Sequence, residues 1–107
     1  MTYMKLGNVL PFPGVQPDKA QALKVLEEAS ETVEACKKWL LADGFQKCNT
    51  EKVPADWADA EFADLMDEIA DTIQASCNLA AALGVTDLTP YLARCEERNR
   101  KRGRYDA

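Results

Sequence analysis

Apolar residues recur at intervals of three and four along most of this 107-residue chain, and no segment alternates with period two over a useful length. The pattern predicts an all-α protein. A first helix is expected from Pro17 or Asp18 to Ala42 (18–42). Pro17 suits a helix start, Asp18 favours the positive end of the helix dipole, and Gly44 stands where the helix should stop. Its apolar face reads Leu23, Leu26, Ala29 or Ser30, Val33, Cys36 and Leu40. A second helix is expected over 56–83, ending at Gly84, with Phe62, Leu65, Met66, Ile69, Ile73, Ser76 or Cys77, Ala80 and Leu83 on its buried face. A third, over 87–102, tolerates Pro90 in its first turn and stops before Gly103, with Tyr91, Leu92 and Cys95 to pack.

Between these segments the punctuation is plain. Residues 1–16 hold Pro11, Pro13, Gly7 and Gly14, which favours an extended arm carrying Tyr3, Leu6, Val9, Leu10 and Phe12. Residues 43–55 read as a polar connection. The whole of 1–107 is expected to be one domain, an antiparallel bundle of three main helices with its arm. Two helices of roughly 37 to 42 Å at 1.5 Å per residue make a thin bundle. Helix 2 is apolar around more than half its circumference. Both features favour assembly of copies into a four-helix core, as a homodimer or homotetramer.

Charge refines the picture. The net charge of −5 argues against DNA, RNA or an acidic membrane surface as a general partner. Between Lys52 and Arg94 there is no Lys or Arg, and Asp56, Asp59, Glu61, Asp64, Asp67, Glu68, Asp71 and Asp87 all fall there. The tail reverses sign with Arg94, Arg98, Arg100, Lys101, Arg102 and Arg104. Cys36, Cys48, Cys77 and Cys95 lack C-x-x-C spacing and read as small buried hydrophobes of a reducing compartment, an extracellular disulfide pair being the alternative. The start lacks the basic region and apolar run of a signal peptide, and no apolar stretch reaches a membrane span, so cytoplasm is the expected location.

The carboxylates carry the chemistry. Glu28 and Glu31 lie three residues apart on helix 1, and Glu68 and Asp71 repeat that spacing on helix 2. With the helices side by side, four carboxylates converge. Helix 2 extends the row as Glu61, Asp64, Glu68 and Asp71, expected opposite the Phe62, Leu65, Ile69, Ile73 face. A solvated helix face is the bland alternative. Such faces usually mix signs, whereas this one has no cation, and like charges at these spacings cost about 0.2–0.5 kcal/mol each on an exposed helix. A hard dication with oxygen ligands would compensate: Mg²⁺, with Mn²⁺ as a substitute. The chain has no histidine, which excludes His-based zinc, the Glu-x-x-His di-iron bundle and Ser-His-Asp chemistry. No G-x-x-x-x-G-K-[ST] loop exists.

Leu23 to Glu31, containing Glu27-Glu28-Ala29-Ser30-Glu31, followed by Glu68-Ile69-Ala70-Asp71, resembles the E-E-x-x-E … E-x-x-D signature of the MazG-like all-α NTP pyrophosphohydrolases. Arg98-Asn99-Arg100-Lys101-Arg102-Gly103 resembles the K-N-x-x-R-G end of that family's third helix. The likeness runs from about residue 18 to 103, with two departures. The gap between Glu31 and Glu68 is longer than usual, and Cys95 stands where many members carry a Lys.

The resemblance implies hydrolysis of an NTP or dNTP between its α and β phosphates, in nucleotide-pool housekeeping. Metal would be held by Glu28, Glu31, Glu68 and Asp71, with Glu31 or Glu27 orienting the attacking water. Arg98, Asn99 and Arg102 would face the phosphates, or else form a basic helix end favourable to the dipole. Lys24 fits a phosphate contact as well as an i,i+4 pair with Glu28. Trp39 could stack a base or belong to a packed interface, and Trp57 shares the ambiguity. Two other readings stay open: a phosphoribosyl-ATP pyrophosphohydrolase-like enzyme, and a non-catalytic helical oligomerisation or regulatory module.

Overall fold

The computed structural model describes residues 2–48, 54 and 56–106. It holds three helices, α1 (Lys19–Cys48), α2 (Trp57–Ala82) and α3 (Thr89–Lys101), with no strand among the described residues. The expected all-α bundle is what forms. The N-terminal arm carries no helix or strand before a turn at Pro13-Gly14, and Gly7 within it has a φ of +74°.

The ends have local causes. Asp18 Oδ1 accepts the N–H of Gln21 at 2.9 Å, capping the start of α1. α2 stops at Gly84, whose φ of +85° an L side chain rarely adopts, and Val85 N–H donates to the Ala80 carbonyl at 3.0 Å. Asp87 Oδ1 accepts the N–H of Thr89 at 2.9 Å and leads into α3 with Pro90 in its first turn.

α1 runs past its expected stop. Gly44 keeps a helical backbone and the helix continues to Cys48, so the polar connection does not begin at residue 43. Tertiary contacts override the weak glycine signal. Phe45 meets Trp57 at a centroid distance of 5.9 Å. Gln46 Oε1 accepts the N–H of Ala58 at 3.2 Å, and its Nε2 donates to the Pro54 carbonyl at 3.1 Å. The extra turn of α1 thereby holds the start of α2. Most of the rest of the expected connection lies outside the described residues.

α1 and α2 pack antiparallel, because contacts pair rising numbers on one with falling numbers on the other: Thr32 with Thr72, Trp39 with Phe62, Gln46 with Ala58. Their seam is a heptad pattern. On α1 it reads Gln21, Val25, Glu28, Thr32, Ala35, Trp39, Ala42, Gln46; on α2 it reads Ala58, Glu61, Leu65, Glu68, Thr72, Ala75, all buried or half-buried.

This corrects the expected faces. Leu23, Leu26, Val33 and Leu40 on α1, and Phe62, Met66, Ile69 and Leu83 on α2, are exposed in the single chain, Leu26 by 62%. The acidic row is not opposite the intrachain contact either. Glu61 and Glu68 stand in the seam, with Asp64 and Asp71 exposed on its flank. The small residues Ala35 and Ala75 allow close approach there and the threonines bond across it, so the seam is polar and the large apolar rows face outward. Cys48 and Cys95 are exposed rather than buried, and all four cysteines are unpaired.

α3 stands apart: no Cα in it comes within 8 Å of one in α1 or α2. The arm bridges the gap. Tyr3 Oη donates to Glu96 Oε2 at 3.2 Å, and Arg100 donates to the same oxygen at 2.9 Å while its guanidinium lies 5.2 Å from the centre of the Tyr105 ring. The radius of gyration is 17.5 Å, against about 13 Å for a compact chain of this length.

Candidate metal centre

Glu28 comes from the third turn of α1 and Glu68 from the middle of α2, both seam positions, and their long side chains reach toward each other between the packed helices. One carboxylate oxygen from each of Glu28, Glu68 and Asp71 lies within 4.8 Å of the others. Glu31 is one turn further along α1, and its carboxyl is close enough for its charge to act on both Glu28 and Glu68. All four expected ligands therefore gather at one place, with Glu31 beside the tighter set of three.

Two atoms separate this cluster from an ordinary solvated acidic face. Glu28 Oε2 and Glu68 Oε2 are buried without any hydrogen-bond partner. A buried polar atom left unpaired is costly, and here it carries charge. Burial is the main cause that raises the Glu28 carboxyl above its usual range, followed by the charge of Glu31 and then Asp71. Burial likewise leads for Glu68, followed by the neighbouring Glu31 carboxyl and the charges of Asp71 and Glu28. An acid set with oxygen donors only and two orphaned oxygens fits a small hard dication.

Behind the acids lies a hydroxyl pair that sequence reasoning missed. Thr72 Oγ1 donates to the Glu68 carbonyl at 2.9 Å, and Thr32 Oγ1 sits 3.1 Å from Thr72 Oγ1. Thr32 Oγ1 is also within 3.0 Å of the Glu28 carbonyl and 3.1 Å of the Glu68 carbonyl. The backbone beneath both glutamates is thus tied together across the seam. The signal was available: Thr32 follows Glu28 by four residues, as Thr72 follows Glu68.

The cluster opens on two clefts. One, of about 500 Å³, is lined by Glu31, Glu34, Glu61, Asp64, Asp67 and Glu68, with Lys38 as its cation. The other, of about 320 Å³, takes in Glu28 and Asp71 together with Lys24, Gln74, Asn78 and Phe12 of the arm.

Lys24 pairs with Glu27 at 3.1 Å rather than with Glu28, both being exposed, so Glu27 lies outside the cluster. Trp39 is half-buried and turns against Phe62 at 6.4 Å in an edge-on contact; it lines neither cleft. Arg98, Asn99 and Arg102 are at the end of α3, and within one chain the structure does not bring them to the carboxylates. Asn99 Nδ2 contacts Cys95 Sγ at 3.4 Å.

No family model, curated protein or solved structure matches the chain. Among the described residues, no helix is long and apolar enough to cross a membrane.

Proposed function

We propose that the chain is a Mg²⁺-dependent nucleotide pyrophosphohydrolase, cleaving an NTP or dNTP between the α and β phosphates to a monophosphate and pyrophosphate. The observation that carries this reading is the pair of buried, unpartnered oxygens on Glu28 and Glu68, set beside Asp71. A pure scaffold has no use for them.

Glu28, Glu68 and Asp71 would hold the ion, with Glu31 completing its surroundings. When bound, Mg²⁺ supplies charge neutralisation at the phosphates and makes water easier to deprotonate. Glu31 is the residue best placed to orient the attacking water and accept its proton, being adjacent to the set of three but outside it. Glu27, tied to Lys24, is less suited. Lys24 lines the cleft with Glu28 and Asp71 and can exchange its exposed partner for a phosphate, since an exposed ion pair is worth little.

The enzyme would work as a homo-oligomer in the cytoplasm. The exposed rows Leu23, Leu26, Val33, Leu40 and Phe62, Met66, Ile69 need a cover, and a second α1–α2 pair makes the four-helix core that closes them. The same assembly offers a route for α3 of a second copy to carry Arg98, Asn99 and Arg102 toward the phosphates.

The direct test is a panel of NTPs and dNTPs with Mg²⁺, scoring pyrophosphate against inorganic phosphate. Pyrophosphate release that vanishes in Glu28→Ala and Asp71→Ala, with helicity retained, is the expected result. Wild-type turnover in either variant would remove the metal assignment. No turnover of any nucleotide by the wild type would leave the module reading.

A further inference from the structure

The arm is fastened to α2 beside the carboxylates. Asn78 Oδ1 accepts the N–H of Phe12 at 3.0 Å, Gln74 Nε2 donates to the Leu10 carbonyl at 2.9 Å, and the same Nε2 donates to Asn78 Oδ1 at 2.9 Å. These backbone partners decide how both amides are turned. A peptide N–H only donates and a carbonyl only accepts, so Asn78 must give its oxygen to the arm, and Gln74 its nitrogen.

Asn78 is 3% exposed, the one buried polar residue among those described. With its oxygen doubly used, its Nδ2 donates to no described protein group, yet that nitrogen is not sealed from solvent. Phe12 is 58% exposed. Pro11 and Pro13 flank it, and a residue before proline is held to extended backbone, so the segment is stiff before any ligand arrives. Both residues line the 320 Å³ cleft that contains Lys24, Glu28 and Asp71.

We infer that this cleft seats the nucleoside of the substrate, with the Phe12 ring stacking on the base and Asn78 Nδ2 donating to an acceptor on the base edge. The inference rests on the pyrophosphohydrolase reading. Base–aromatic stacking tolerates any base, whereas a buried donor discriminates, because a base that leaves it unpaired is rejected. The phosphates then pass Lys24 and reach the carboxylates. The opposite cleft offers six carboxylates, one lysine, no aromatic and no amide, which suits cations and not a base. Trp39 is roughly 16 Å along α1 from Glu28 at 1.5 Å per residue, and its ring is engaged with Phe62.

The test is calorimetric titration of the full chain with Mg²⁺ and either an α,β-methylene nucleoside triphosphate or base-free tripolyphosphate, alongside wild-type pyrophosphate release. Phe12→Ala should weaken the nucleotide analogue at least tenfold and tripolyphosphate less than twofold. Phe12→Tyr should restore the analogue, and Trp39→Ala should leave it within twofold. Asn78→Asp keeps the acceptor for the arm but replaces the donor, so it should reorder affinities among the four bases. Equal losses for both ligands in Phe12→Ala, no loss for either, or a larger loss in Trp39→Ala would overturn the assignment, and an unchanged base order would remove Asn78 from it. If the wild type releases pyrophosphate while Phe12→Ala binds normally, only the cleft assignment falls. If the wild type neither binds the analogue nor releases pyrophosphate, the underlying reading falls with it.

Discussion

Thr32 on α1 and Thr72 on α2 meet hydroxyl to hydroxyl at 3.1 Å, each four residues beyond a half-buried glutamate of its own helix. The two hydroxyls also lie on the backbone carbonyls of Glu28 and Glu68 and so tie the two glutamate-bearing turns together. Replacing either threonine by valine keeps the shape and removes the bonds, and should cost about 1 kcal/mol of stability. Urea unfolding reads this as a lower midpoint at constant slope. The double variant should lose less than the sum, since the two hydroxyls share one network. Additive losses would mean the contact does not couple the helices.

A second prediction concerns pH in the absence of metal. The folded-state pKa values of Glu28 and Glu68 are raised above 4.5. Over that window the folded chain binds more protons than the unfolded one, so the stability contribution of these groups falls as pH rises from 4.5 toward neutrality. Asp87 and Glu96 are shifted the other way and titrate below 3.8 and 4.5, while Tyr3, Lys47 and Arg100 titrate above 10. The window therefore belongs to the two glutamates. Thermal melting in a chelator should show a declining melting temperature across it. Glu28→Gln or Glu68→Gln should flatten the decline and raise the melting temperature at neutral pH. A flat wild-type profile would show that the acids do not share a site.

Millimolar Mg²⁺ should reverse that slope, because an ion bound to the deprotonated carboxylates stabilises the folded chain and competes with protons. The melting temperature at neutral pH should rise with added Mg²⁺ in the wild type and not in Glu68→Gln. Equal rises in both would point to binding elsewhere.

The exposed apolar rows predict an assembly. Light scattering after gel filtration should give at least two copies per particle. Ile69→Glu and Leu26→Glu place a charge in that contact and should shift the mass to one copy, with loss of helical ellipticity. A wild-type monomer of full helicity would end the four-helix proposal.

The glycines give opposite expectations. Gly44 lies inside α1 with a helical backbone and nothing within 4 Å of an added Cβ, so Gly44→Ala should stabilise by about 0.5–1 kcal/mol. Gly84 sits at φ +85°, and Gly84→Ala should destabilise by about 1 kcal/mol. Denaturant midpoints in opposite directions confirm the pair. A loss at Gly44 would show that α1 ends there, as its residue type alone suggests.

That glycine shows where local reading stopped. Helix content, the ends near Asp18, Gly84 and Gly103, and a proline-rich arm outside the helices were legible, because caps, dihedral limits and periodicity act over a few residues. The faces were misassigned. A row such as Leu23, Leu26, Val33 and Leu40 announces an apolar surface but not which partner covers it. The seam one position over, with Ala35 and Ala75 at close approach and Thr32 against Thr72, carries a weaker apolar signal. Gln74 and Asn78 extend the spacing of Glu68 and Asp71 along α2, yet nothing local links them to the arm.

Composition and spacing by themselves determined that the chain is helical, that it lacks histidine and phosphate-loop chemistry, and that Glu28, Glu31, Glu68 and Asp71 are the acids worth joining. Helical periodicity and residue chemistry reside in each segment, so they survive without a partner. Only the tertiary structure decided that two of those acids lie in the seam with buried oxygens, that α3 stands clear of them, and that the arm closes one side of their cleft. Those outcomes depend on antiparallel register and on backbone groups meeting from distant parts of the chain. Such contacts exist only once the helices have packed.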